Sequence, residues 1–164
     1  MNRRSMISIS ALTALGFALV ASSAASAPKG KANKRQLVGS WTAVSVDAYG
    51  PNPKGSLIFE ANSRFSLQLM RADLPKYASN SRTQGTPAEY KATVEGSISY
   101  FGTYSVSGSD LTFHVEGSTF PNWTGTDQKR INLSVTGDEL KYTNPAPSAG
   151  AAAPVIPLVW KRVK

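Results

Sequence analysis

The stretch "GSLIFEANSRFSLQLMR", residues 55–71, decides the fold. In its second half Phe65, Leu67 and Leu69 alternate with Ser66, Gln68 and Met70. That is a period of two, which marks a strand, because successive side chains of an extended chain point to opposite faces. Residues 55–61 read as another strand, and "ANS" around Asn62 leaves room only for a tight turn between them. Two strands joined this closely pair antiparallel as a hairpin.

The same period continues outward in both directions. Strands are predicted at about 40–48, 55–61, 64–71, 102–107, 110–118, 128–136, 139–144 and 155–163. One helix interrupts them, between the third and fourth strands. Thr86 is its expected N-cap, Pro87 takes the first helical position, and Glu89 stands three residues after the cap, which is capping-box spacing. Tyr90, Val94 and Ile98 would share one helix face, with Gly102 closing the segment.

Eight strands of this length close into an up-and-down barrel or pack as two sheets. The connections favour the barrel. "ANS", "SGS" around Gly108 and "TGD" around Gly137 are tight, whereas "YGPNPKG", the 72–101 stretch, "TFPNWTGTD" and "PAPSAGAAAP" are long. Alternate connections of a meander fall at the same end. All the long ones should therefore gather at one mouth and all the tight ones at the other, as in a cup.

The ends of the chain read differently. Residues 1–27 begin with Arg3 and Arg4, continue through an apolar run from Ile7 to Val20, and end in the small residues "ASSAASA". That order marks an export signal cut at about residues 25–27, and the run is too short for a confident membrane span. The 137 residues that follow (164 less 27) suit one domain. With no cysteine in the chain there is no disulfide, thiolate metal site or Cys nucleophile. Export without disulfides fits a periplasmic or secreted bacterial protein. Removing Arg3 and Arg4 takes the net charge from +8 to +6. Seven of the remaining basic residues lie at the ends, as Lys29, Lys31, Lys34, Arg35, Lys161, Arg162 and Lys164. A nucleic-acid surface would spread them along one face among aromatics, so none is expected, and residues 28–36 read as a basic, solvated, flexible arm.

The longer strings carry a family pattern. "LVGSW", with Gly39 and Trp41, looks like the Gly-x-Trp signature of lipocalins. "GPNPKGSLIFEANSRFSLQLMRADLPKYAS", "GTPAEYKATVEGSISYFGTYSV", "HVEGSTFPNWTGTDQKR" and the terminal "LVWKRV" together resemble the bacterial and fungal lipocalin-like domain family over nearly all of 37–164. The resemblance implies a closed barrel with a helical insertion and an internal pocket for a small, largely apolar molecule. It also implies that a basic residue of the last strand, here Arg162, lies over Trp41 at the closed end. In the family pattern a second histidine often stands where this chain has Phe113. That departure counts against a mechanism using a histidine pair.

Residues able to carry chemistry are few. His114 is the lone histidine, the natural general base near neutral pH. Alternation sets Leu111, Phe113 and Val115 inward and His114 outward, unless a bulge near Gly117 reverses it. Ile131, Leu133 and Val135 likewise turn Arg130 outward, yet its place after "TGTD" at the mouth lets it meet Asp127 or a ligand carboxylate. Gln68 and Met70 become ligand contacts only if their parity is the inner one. Tyr77, Tyr90, Tyr100 and Tyr104 are expected near the mouth, where a ring with a polar tip suits an amphipathic ligand, and Phe120, Asn122 and Trp123 decorate a mouth loop. No hydrolase elbow, zincin motif, phosphate-cradling glycine loop or acidic calcium cluster occurs, and neither a metal nor a cofactor is expected.

Three functions suit these features. The first is an exported barrel binding a small hydrophobic or amphipathic molecule. The second is a cofactor-free isomerase or cyclase, with His114 or Tyr104 as its acid–base group. The third is a non-catalytic interaction module of the cell envelope with a filled interior.

Overall fold

The computed structural model describes residues 32–150 and 152–164. The export segment expected over 1–27 lies outside them. Eight strands follow one another around a closed barrel: β1 (Gly39–Val46), β2 (Lys54–Phe59), β3 (Arg64–Met70), β4 (Ser97–Ser107), β5 (Asp110–Ser118), β6 (Asp127–Thr136), β7 (Glu139–Asn144) and β8 (Ile156–Arg162). Each pairs antiparallel with its neighbours in sequence, and β1 closes on β8 from Trp41↔Arg162 to Val46↔Leu158. Closure leaves no unpaired sheet edge.

Inside parity is what alternation demands. Leu57, Phe59, Phe65, Leu67, Leu69, Leu111, Phe113, Val115, Leu140 and Trp160 are buried. Each large apolar side chain so buried contributes roughly 1.5–3 kcal/mol. Gln68 and Met70 therefore face outward. Gln68 donates to Ser66 Oγ at 2.7 Å on the same outer face, and Met70 is exposed, which removes both from the candidate ligand contacts.

Helix α2 (Pro87–Glu95) sits between β3 and β4 with the expected capping box: Thr86 accepts from the Glu89 N–H, and Glu89 accepts from the Thr86 N–H. It is shorter than expected. Ile98 belongs to β4, which starts at Ser97, so the apolar face proposed for Tyr90, Val94 and Ile98 does not exist as one helix face. β4 runs on through Gly102, where the β4–β5 register shifts and Glu116 is left as an extra residue. There a Cβ would lie 2.0 Å from the His114 carbonyl oxygen, so only glycine allows the strands this close.

At the closed end a one-turn helix, α1 (Lys34–Leu37), covers the barrel base. Its capping box links Asn33 and Gln36, and Leu37 is fully buried. The last part of the stretch expected to be a solvated arm is thus folded. Trp41 Nε1 donates to the Leu37 carbonyl at 2.8 Å. The Arg162 guanidinium stacks 4.1 Å above the Trp41 ring and donates to the Val38 and Gln36 carbonyls at 2.8 and 2.7 Å. The contact expected between Arg162 and Trp41 is present.

Candidate functional site

The four long connections meet at the opposite end. A cleft of about 620 Å³ is lined by Tyr49 from the first, Thr93–Glu95 from α2, Thr119 and Phe120 from the third, and Ser148 and Ala149 from the fourth. Below it an inner chamber of about 40 Å³ lies among Leu67, Leu69, Tyr100, Trp123, Arg130, Asn144 and Leu158. Both spaces touch Tyr49, Ile98 and Ser148, so the cleft and the chamber adjoin. The chamber has room for about three or four waters at roughly 10–15 Å³ each. A cleft of the outer size is ordinary for a small-molecule site.

"FPNWTGT" forms one wall. A 3-10 turn at Pro121–Trp123 is tied by Trp123 N–H to the Phe120 carbonyl, Thr124 N–H to the Pro121 carbonyl and Thr126 Oγ1 to the Trp123 carbonyl. Gly125 at φ +77° turns the chain back into β6. The turn drives Trp123 into the barrel, edge-on to Tyr100 at 5.3 Å and to Phe120 at 5.8 Å. Asn122, at the tip, is exposed and lines neither space.

Arg130 faces inward, contrary to simple alternation. Asn132 adopts φ +58°, and the β6–β7 register shifts between Ile131 and Ser134. That bulge puts Arg130 and Leu133 on the same inner side, with Leu111 opposite Arg130 on β5. Arg130 is 1% exposed. Its guanidinium lies 5.6 Å from the Phe113 ring and 5.4 Å from the Trp123 ring. It donates to the Lys129 carbonyl at 2.8 Å and to the Tyr100 hydroxyl at 3.4 Å. The expected ion pair with Asp127 does not form, since that carboxylate is engaged by His114. Withdrawing an unpaired cation from water costs several kcal/mol, and stacking on aromatic faces returns roughly 0.5–2 kcal/mol per contact.

His114 faces outward as alternation indicates. Nδ1 lies 2.6 Å from Asp127 Oδ1 and Nε2 lies 3.1 Å from Ser105 Oγ, so three neighbouring strands carry a Ser–His–Asp chain on the outer wall. In the neutral imidazole the Nδ1–H meets the carboxylate and Nε2 accepts from the serine hydroxyl. None of the three lines the cleft or the chamber.

The tyrosines separate by depth. Tyr100 is buried on the chamber wall. Tyr104 is too far along β4: its hydroxyl donates to the Glu60 carbonyl in the tight β2–β3 turn, its ring meets Phe59 at 4.7 Å, and Lys34 Nζ lies over it at 5.3 Å. It belongs to the closed end, not the mouth. Tyr77 and Tyr90 pack on each other at 5.8 Å within the insertion, with Tyr77 donating to Thr93 Oγ1 and Tyr90 accepting from the Gly85 N–H. Neither lines the cavity. Tyr49, unremarked in its loop, lines both spaces; burial and the nearby Tyr100 push its phenol up to about 12. Asn144 also lines the chamber and is buried, its oxygen accepting from the Ala146 N–H at 3.2 Å. Among the described residues no group of three or more histidine or acidic side chains is placed to hold a metal.

Comparison with known proteins agrees with this architecture. A family model described as Lipocalin-like domain matches residues 39–163, and the chain belongs to that family. It is also 29% identical over 90 residues, 50% of this chain and 80% of the relative, to the 4'-hydroxy-3'-methoxypropiophenone carrier protein ppsC of Aspergillus oryzae (strain ATCC 42149 / RIB 40).

Proposed function

We propose that the protein is an exported carrier that takes a small hydrophobic or amphipathic molecule through its single mouth. The observation that carries this reading is a 620 Å³ cleft built by all four long connections and adjoining a chamber walled by Tyr100 and Trp123. Val94, left 76% exposed at the end of α2, adds apolar surface to the rim of that cleft. The similarity to a protein named as carrier of a phenolic ketone supports a flat aromatic cargo. Export rests on the charged, apolar and small-residue order of residues 1–27. A cofactor-free isomerase draws little support, because His114 stands on the outer wall and Tyr104 at the base.

The test is titration of the purified protein with 4'-hydroxy-3'-methoxypropiophenone and a panel of aromatic and lipid metabolites. Quenching of intrinsic tryptophan fluorescence and native mass spectrometry are the readouts. Saturable one-to-one uptake of at least one compound is expected. No uptake across the panel overturns the carrier reading.

A further inference from the structure

Among the described residues the barrel holds an interior cation, Arg130, with no ionic partner. Its hydrogen-bond partners are a backbone carbonyl and the Tyr100 hydroxyl, both neutral. Among the described residues the buried polar or charged ones are Arg130 and Asn144, so no carboxylate is buried among them. Two polar side chains nearby are left with hydrogens to donate. The Tyr100 oxygen accepts from Arg130, which leaves its O–H to give, and the Asn144 oxygen is occupied by Ala146, which leaves its amide N–H groups. Outside the chamber lining the Tyr142 and Trp160 rings stack at 6.4 Å, with the Tyr142 hydroxyl and Trp160 Nε1 buried and no third group bonded to either. Tyr142 touches Phe113, the ring that Arg130 covers.

A site made of one guanidinium and several N–H and O–H donors, with no carboxylate, is complementary to an oxyanion. Size divides the ligand. The 40 Å³ chamber admits a carboxylate or phenolate head but no ring system, while the cleft above accommodates an apolar body against Tyr49, Ile98 and Phe120.

We infer that the cargo is a small aromatic acid, a carboxylate or ionised phenol on a flat ring, whose oxyanion pairs with Arg130 at the chamber floor. This rests on the carrier reading and narrows it to a charge class.

The experiment compares cinnamic acid with methyl cinnamate and cinnamamide at neutral pH, measuring Kd by calorimetry and tryptophan quenching for the wild-type chain, Arg130→Met and Arg130→Lys. The acid should bind the wild type at least about tenfold more tightly than either neutral analogue. Arg130→Met should abolish that preference while leaving methyl cinnamate within about threefold, and Arg130→Lys should retain part of it. Should Arg130→Met fail to fold, the wild-type ratio decides alone. Equal binding of acid and ester, or an acid preference that survives Arg130→Met, overturns the anion assignment and leaves the carrier standing. Failure of all three compounds to bind, with other aromatics taken up by the same protein, also overturns the assignment. Failure of every compound tested removes the carrier reading as well.

Discussion

The Arg162 guanidinium lies 4.1 Å above the ring of Trp41, the partner directly across from it in the β1–β8 ladder. One side chain thereby spans the β1–β8 seam and ties the segment at α1 to the base through the Gln36 and Val38 carbonyls. Arg162→Met keeps the stem and removes the charge and donors. It is expected to cost about 2–4 kcal/mol, from a cation–π contact and two charge-assisted hydrogen bonds. Urea unfolding checks it, and a midpoint unchanged from wild type would refute it.

Gly39 explains why a glycine stands two residues before that tryptophan. Its φ is +127°, and a Cβ there would come within 2.9 Å of Arg162 Nη1. Gly39→Ala should cost about 1–3 kcal/mol from backbone strain and the displaced guanidinium. In an Arg162→Met background the same change should cost less, since only the backbone share remains. A double-mutant cycle by chemical denaturation measures the difference.

Burial makes the interior phenols resist ionisation. Tyr49 rises to about 12, and Tyr142 and Tyr104 also move up, each led by desolvation. Raised folded values mean that both states are protonated below pH 10 and stability is unaffected there. As pH climbs from 10 toward 12 the unfolded phenols ionise while the buried ones stay neutral, so stability falls. Phenolate absorbance should show fewer tyrosines titrating near pH 10 in the native protein than in denaturant, and Tyr49→Phe should soften the alkaline loss.

Inner and outer walls should answer oppositely to substitution. Trp123→Ala opens the chamber wall and is expected to weaken uptake of whichever aromatic compound the wild type binds at least about tenfold. His114→Ala removes only the outer Ser105–His114–Asp127 chain and should change affinity by less than about twofold. Calorimetric titration of both variants tests the contrast. A large loss in His114→Ala would place the ligand outside the barrel.

Alternation with a period of two was enough to read the meander, its tight turns and the gathering of long loops at one mouth. It failed where the backbone leaves that period. Asn132 at φ +58° inserts the bulge that turns Arg130 inward, and nothing in "QKRINLSVT" announces a left-handed asparagine. Tyr104 was misplaced by depth, because β4 begins at Ser97, five residues before the strand expected at 102, so a tyrosine near its expected start lies near its true end. Gln68 and Met70 lie on the parity of Arg64 and Ser66, opposite Phe65, Leu67 and Leu69, and the burial of the latter three makes theirs the outer face. Tyr49 reaches the cavity through loop geometry that no residue pattern encodes.

The two poles of this molecule are assigned to different tasks. Residues that hold the vessel shut, Gly39, Trp41 and Arg162, share no partner with those that line the chamber at the mouth, Tyr49, Trp123 and Arg130. Changes at distant sites without shared partners add independently. The rim is therefore at liberty to drift toward new compounds without eroding the thermodynamic foundation beneath it, which makes this barrel a ready starting point for engineered receptors.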